Sequence, residues 1–336
     1  MGQPMAAYDY DLPETAIAQE PAEPRSSARL LVATDPGGTL DHRRVADLPD
    51  LLGPGDLVVV NDTKVLPARL HLRRPTGGAV EVLLLTPLAR GTAAAPVRWE
   101  ALVRHSRKVR PGDTLYAGEA AALEVGEDLG EGRRVVNLLD PSLPEVHGSL
   151  PLPPYLHRPL ADPSRYQTVY AHRPGSVAAP TAGLHLDAPV LDRLSRAGIG
   201  VVAVDLAVGL DTFRPVTAER PEDHVIHTEA YDVPASTMEA CRTARRVVAV
   251  GTTTVRALET VEVTGRLAGR TSLYIHGHHD WRVVDVLLTN FHLPRSSLLL
   301  MVEAFCGERW RHLYGVARDS GYRFLSFGDA MLVARR

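Results

Sequence analysis

The residue pattern predicts an α/β protein, a mixed parallel sheet with helices, into which a small antiparallel β-barrel is inserted. Three observations predict it. Short apolar runs end abruptly on polar residues, as strands buried on both faces do. Helix-like stretches fall between these runs at the spacing of strand–helix–strand units. Residues 66 to about 150 change character, to short alternating segments parted by Gly and Pro turns, which is antiparallel β arranged as a small barrel.

Taken in order, Leu57-Val-Val-Val-Asn61 is the first buried parallel strand. The barrel follows with Ala79-Val-Glu-Val-Leu-Leu-Leu, Trp99-Glu-Ala-Leu-Val and Arg133-Arg-Val-Val-Asn-Leu-Leu, and the Thr92-Ala-Ala-Ala-Pro tract is a loop tip between its strands. The α/β pattern resumes after Pro153. This predicts an α/β domain from residues 1–65 and 151–336, carrying the active site, and a barrel domain from 66–150. Leu191 to Ala197 is a helix stopped by Gly198. Val201 to Leu206 is a strand, Ala235 to Ala244 a helix with Pro234 and Ser236 near its start, and Val247 to Val250 another strand. A helix-like Ala257 to Val263 comes next. A polar hairpin turn around Gly277 and Asp280 is expected between Ser272-Leu-Tyr-Ile and Trp281-Arg-Val-Val. Finally Val283 to Leu288 is a strand that delivers Thr289, Asn290 and His292 onto a turn before Pro294.

At 336 residues the chain is long enough for two domains with substantial cores. Its net charge of −3 means that a nucleic-acid partner must be met by a local basic patch. One exists: from Leu66 to Gly112 nine basic residues (Arg69, Arg73, Arg74, Arg90, Arg98, Arg104, Arg107, Lys108, Arg110) face two acidic ones, Glu81 and Glu100. A phosphate footprint and a solvated barrel face are both compatible with that asymmetry. Cys241 and Cys306 lie far apart in apolar surroundings and suit neither a disulfide framework nor a metal spacing. The acidic N-terminus, with Asp9, Asp11 and Glu14, is not expected to act as a signal peptide, and the longest apolar run, Leu298 to Val302, is too short to span a bilayer. A soluble, cytoplasmic protein is expected, with no membrane partner.

Four polar constellations are candidates for chemistry. Thr181-Ala-Gly-Leu-His185 is a shaped segment leading into a helix, where Gly183 lets a ligand approach and free N–H groups suit an anion; a structural turn is the competing reading. In His224-Val-Ile-His227-Thr-Glu229 an extended chain puts His227 and Glu229 on one face, as a proton-transfer pair or, less favoured for want of a third ligand, a zinc site. His276-Gly-His278-His279-Asp280 is read as a surface turn before a metal site. Gly251-Thr-Thr-Thr-Val-Arg256, between a strand and a helix, makes a polar ligand cradle but lacks the Lys and second Gly of a nucleotide P-loop.

Several blocks occur in an order that carries a resemblance over nearly the whole chain: Tyr8-Asp-Tyr-Asp-Leu-Pro, Gly55-Asp-Leu-Val-Val-Val-Asn61-Asp-Thr-Lys-Val-Leu-Pro67-Ala-Arg69-Leu, Leu150-Pro-Leu-Pro-Pro-Tyr155, Arg165-Tyr-Gln-Thr-Val-Tyr170-Ala, Gly175 to His185, Gly251 to Arg256, Thr289-Asn-Phe-His292, and Gly321-Tyr-Arg-Phe with Gly328-Asp-Ala-Met. The chain resembles the S-adenosylmethionine:tRNA ribosyltransferase-isomerase family of queuosine biosynthesis. That resemblance implies the inserted barrel, tRNA and S-adenosylmethionine as partners, no cofactor beyond that co-substrate and no metal; a monomer is expected. It implies ribosyl transfer to the aminomethyl-deazaguanine (preQ1) at tRNA wobble position 34, giving epoxyqueuosine, adenine and methionine. His185, His227 with Glu229, and His292 are the candidates for proton transfer. Asn61, Asp62, Thr181, Gly183, Arg256, Thr289 and Asn290 are candidates for holding substrate, and Arg69, Arg104, Arg107, Lys108 and Arg295 for holding RNA phosphate. Two departures stand out. Family members read Leu-His-Val-Gly-x-Gly-Thr-Phe where this chain has Leu206-Ala207-Val-Gly209-Leu-Asp211-Thr-Phe213, so an imidazole is lost at Ala207 and a carboxylate is gained at Asp211. They leave two alternatives open: a paralogue that uses the same donor with a different acceptor, and a non-catalytic tRNA-binding protein.

Overall fold

The computed structural model describes residues 3–35, 37–89, 97–209 and 215–336. Arg90, the tract at 92–96 and Asp211 lie outside them. The chain divides into two compact units, one formed by Met1–Thr63, Pro154–Arg173 and Ala179–Arg336, the other by Lys64–Pro153 and Pro174–Ala178.

The first unit is built on a nine-stranded sheet. Its centre is four parallel strands, in the order Gly200–Leu206, Asp56–Asn61, Arg246–Val250, Val286–Asn290. These are the apolar runs of the sequence, and Asp56–Asn61 is buried at every position, as a strand covered on both faces must be. Beyond Val286–Asn290 lie Ala330–Ala334, antiparallel to it, then Arg29–Ala33 and the exposed edge strand Asp41–Arg44, whose charged side chains protect the open edge. On the other side Glu229–Asp232 and Ala268–Thr271 add antiparallel strands. Alternate residues Val58, Val60, Val248, Val250, Val286 and Leu288 form one core with Val190 and Leu194 of the helix Ala188–Arg196, which Asp187 caps through the Val190 N–H at 3.1 Å. The register aligns the carboxyl ends: Asn61 lies beside Val204, and Val250 beside Leu288. Leu206, Asn61, Val250 and Asn290 therefore end along one rim of the sheet, the rim at which open α/β sheets bind ligands.

The second unit is a six-stranded antiparallel barrel in the order Arg69–Arg73, Ala79–Ala89, Val97–Val103, Arg133–Leu138, Ala120–Gly130, Thr114–Ala117, closed by the pairing of Arg73 with Tyr116. Closure removes the free edges that such short strands would otherwise expose.

Two local expectations differ from the structure. The helix expected from Ala257 begins five residues earlier, as Thr252–Thr264, so the three threonines form its first turn. The hairpin expected around Gly277 does not form. Its first arm is not a strand, and in the second the N–H groups of Arg282, Val283 and Val284 are taken at 3.1–3.2 Å by the fully buried carboxylate of Glu259, so the following strand is Val286–Asn290. Cys241 and Cys306 are buried free thiols. No helix among the described residues is long and apolar enough to cross a membrane.

Candidate active site

Two adjoining hollows open at the carboxyl rim of the parallel strands and share Thr181, Asn290, His292 and Leu298. One is completed by Val208, Gly251, Thr252 and Thr289, the other by Tyr155, Phe291, Leu325 and Ser326. Strand Val286–Asn290 ends in Thr289 and Asn290, which is why two polar side chains stand buried at this rim.

Asn290 links two segments. Its Oδ1 accepts the Thr181 hydroxyl at 3.1 Å, and its Nδ2 donates to His185 Nε2 at 3.0 Å. His185 is therefore a neutral acceptor at Nε2, and burial, helped by the charges of Arg323 and Arg25, pulls its pKa down to about 4. His292 Nε2 lies 2.9 Å from the Thr289 hydroxyl. Its backbone is held twice by phenols: its N–H donates to Tyr314 Oη at 3.0 Å, and its carbonyl accepts from Tyr10 Oη. Burial drops the His292 pKa to about 3. Both imidazoles at this rim are uncharged at neutral pH.

Other candidates stand elsewhere. Asn61 is enclosed and fully engaged, donating to the Leu206 carbonyl at 2.9 Å and to Thr253 Oγ1 at 3.3 Å while accepting from the Leu206 and Thr63 N–H groups; it ties two strand ends to a helix start. Burial raises the Asp62 carboxyl, whose nearest cation is Arg173 at 3.8 Å. Gly183 has no left-handed backbone; a Cβ there would strike the Tyr170 hydroxyl at 2.1 Å, so the close approach it permits in the structure is by Tyr170. Thr181–His185 is a short 3-10 helix, not an open loop.

Glu229 and Arg256 are both buried and form an ion pair. Arg256 also donates to the Leu273 carbonyl at 3.0 Å, and Glu229 accepts the Gly209 N–H at 2.7 Å. The pair thus braces the 207–209 segment against helix Thr252–Thr264. His227 is exposed. Arg295 adopts a left-handed φ of 55°, its N–H bonded to the Tyr8 carbonyl and its own carbonyl to the Val216 N–H. In the barrel, Arg69 is half-buried, whereas Arg107 and Lys108 are exposed in the turn Ser106–Lys108 and Arg104 is exposed just before it. Glu100 is paired with Arg133 at 2.9 Å. Among the described residues no group of three or more His, Cys, Asp or Glu side chains is placed to hold a metal ion. Tyr10 and Tyr314, which lie 282 and 22 residues from His292, are partners of its backbone that no local sequence pattern links to it.

Comparison with known proteins fits this architecture. A family model described as queuosine biosynthesis protein matches residues 5–333. The S-adenosylmethionine:tRNA ribosyltransferase-isomerase of Rubrobacter xylanophilus is 52% identical over 97% of this chain and 96% of its own, and that of an Anaeromyxobacter species 48% identical over 98% and 99%. The crystal structure of S-adenosylmethionine tRNA ribosyltransferase from Thermotoga maritima matches with a TM-score of 0.56 at 35% identity, covering 97% of this chain and 99% of that one. With relatives this similar over nearly its full length, the chain belongs to the S-adenosylmethionine:tRNA ribosyltransferase-isomerase family of queuosine biosynthesis enzymes.

Proposed function

We propose that the protein transfers the ribosyl part of S-adenosylmethionine to 7-aminomethyl-7-deazaguanine at wobble position 34 of tRNA and isomerises it, giving epoxyqueuosine, adenine and methionine. The observation that carries this reading is the 52% identity, over 97% of the chain, to a relative named S-adenosylmethionine:tRNA ribosyltransferase-isomerase. The rim supports it chemically. The donor is a sulfonium cation, and a site walled by neutral imidazoles and hydroxyls does not repel it. The sulfonium acidifies the adjacent C5′ protons, so removal of one by a positioned base starts the reaction, and adenine and methionine leave in later steps.

His292 is the candidate for that proton transfer, since it lines both hollows and its backbone is clamped by Tyr10 and Tyr314. His185 stands behind Asn290 and fixes the orientation of its amide. Thr181, Thr289 and Asn290 supply hydrogen bonds to the donor. Glu229 with Arg256, and Asn61, hold the walls in place. The barrel turn at Arg104, Arg107 and Lys108, with Arg69 and Arg295, meets tRNA phosphates. We read the protein as cytoplasmic, which the tRNA-directed activity for which its relatives are named supports, and as a monomer.

A second reading, the same donor with a changed acceptor, is favoured by Ala207, which holds the rim beside Val208 with a methyl where the family pattern has an imidazole. The test is incubation with S-adenosylmethionine labelled in adenine and tRNA bearing the deazaguanine. Adenine release that requires both protein and tRNA is expected; binding of donor without release sinks the first reading and favours the second.

A further inference from the structure

The threonine triplet at the start of helix Thr252–Thr264 divides its hydroxyls among three tasks. Thr254 donates to the Val250 carbonyl at 2.7 Å and ties the helix back to its strand. Thr253 accepts from Asn61 Nδ2 at 3.3 Å. Thr252, only 5% exposed, lines the hollow, and among the described residues its hydroxyl has no partner. The helix around it has thirteen residues, so its first N–H groups lack intrahelical acceptors and carry the positive end of the helix dipole. No side chain caps them, and no acidic residue stands in the first turn. The one charged side chain nearby on the helix, Arg256, is already neutralised by Glu229.

This end of the hollow is therefore built for a negative group. Among the described residues the lining contains no lysine or arginine, which suits a singly charged carboxylate accompanied by its own ammonium better than a phosphate. The competing place for an anion, Thr181–His185, is a five-residue turn in which the Gly183 N–H is already given to the Pro180 carbonyl at 2.9 Å.

We propose that the first turn of helix Thr252–Thr264, with the Thr252 hydroxyl, binds the α-carboxylate of the methionine end of the donor. The assignment rests on the donor reading above and fixes a direction for the ligand. Its carboxylate lies beside Gly251, and its sulfonium and ribose extend toward Asn290 and His292.

Two adenosine thioethers test it, S-adenosylhomocysteine, which has the amino-acid end, and 5′-methylthioadenosine, which lacks it. Calorimetric titration of the full-length protein and of Thr252→Val should show S-adenosylhomocysteine weakened about tenfold and 5′-methylthioadenosine changed less than about twofold. Thr252→Ser, which keeps the hydroxyl, should retain wild-type affinity for both. Thr252→Val should also raise KM for S-adenosylmethionine while leaving kcat nearly unchanged. Equal weakening of both ligands in Thr252→Val, or no weakening of either, overturns the carboxylate assignment while leaving the donor reading standing. A wild-type protein that binds neither ligand overturns both. If Thr252→Val does not fold, Thr252→Ala takes its place in the same comparison.

Discussion

The two neutral histidines at the rim make the stability of the α/β unit depend on pH in a calculable way. An imidazole in the unfolded chain takes up a proton near pH 6.5, whereas His185 does so only near 4 and His292 near 3, chiefly because both are buried. Between those values the unfolded chain binds more protons than the folded one. Stability is thus fully present above pH 6.5 and is lost as the pH falls. From pH 6.5 to 5 each histidine accounts for a loss of roughly 1.5 kcal/mol, and the pair for about 3 kcal/mol. Asp62 and Asp205, whose carboxyl pKa values burial raises, act with the opposite sign, so the effect must be read as a difference between proteins. Urea unfolding of wild type, His185→Gln, His292→Gln and the double variant, followed by tryptophan fluorescence at several pH values, supplies that difference. Whatever each substitution costs at pH 6.5, its deficit relative to wild type should shrink by roughly 1.5 kcal/mol at pH 5, and by about 3 kcal/mol in the double variant. A deficit that does not change with pH would refute this linkage, because it would mean that the imidazoles titrate normally in the folded protein.

Three further outcomes are expected. His292→Ala should abolish adenine release while the protein keeps its fold; a collapse of the melting temperature would mark a core histidine instead. Arg256→Met removes the buried guanidinium that pairs with Glu229 and should cost about 3–5 kcal/mol, while Arg256→Met with Glu229→Met should recover much of that loss; equal costs for single and double variants would show that the pair does not act as a unit. Replacing Arg104, Arg107 and Lys108 together by alanine should lower the salt dependence of tRNA binding by roughly one unit of slope for each phosphate no longer neutralised, and an unchanged slope would remove this turn from the RNA interface.

Three of the four parallel strands could be read from the sequence to within a residue, because a strand buried on both faces needs an unbroken apolar run and each of these runs stops at the polar rim. The start of helix Thr252–Thr264 could not. Threonine is a weak helix former, and what holds those residues helical is the bond of Thr254 to the Val250 carbonyl together with burial of the whole first turn. The missing hairpin has the same kind of cause, since the Glu259 carboxylate reaches more than twenty residues along the chain to take the N–H groups a second strand would have used. At the site, Thr181 and His185 were identifiable in a shaped segment leading into a helix, and Thr289, Asn290 and His292 as polar residues delivered at the end of an apolar strand; the structure brings them together. Arg256 and Glu229 were equally conspicuous, yet they engage each other across 27 residues, a pairing that spacing alone does not reveal. The tyrosine clamp on His292 is likewise a product of tertiary packing.

The reaction proposed for the rim requires that this chain carry out ribosyl transfer to the wobble deazaguanine despite alanine at position 207 and aspartate at position 211. Incubation with S-adenosylmethionine labelled in the ribose and tRNA bearing the deazaguanine, followed by nucleoside analysis of the digested tRNA, tests it for wild type and for Ala207→His with Asp211→Gly. Labelled epoxyqueuosine is expected from the wild type, with at most a modest change in rate on double reversion. No label in tRNA from the wild type, with clear incorporation by the reverted variant, would contradict this and assign the protein a different acceptor.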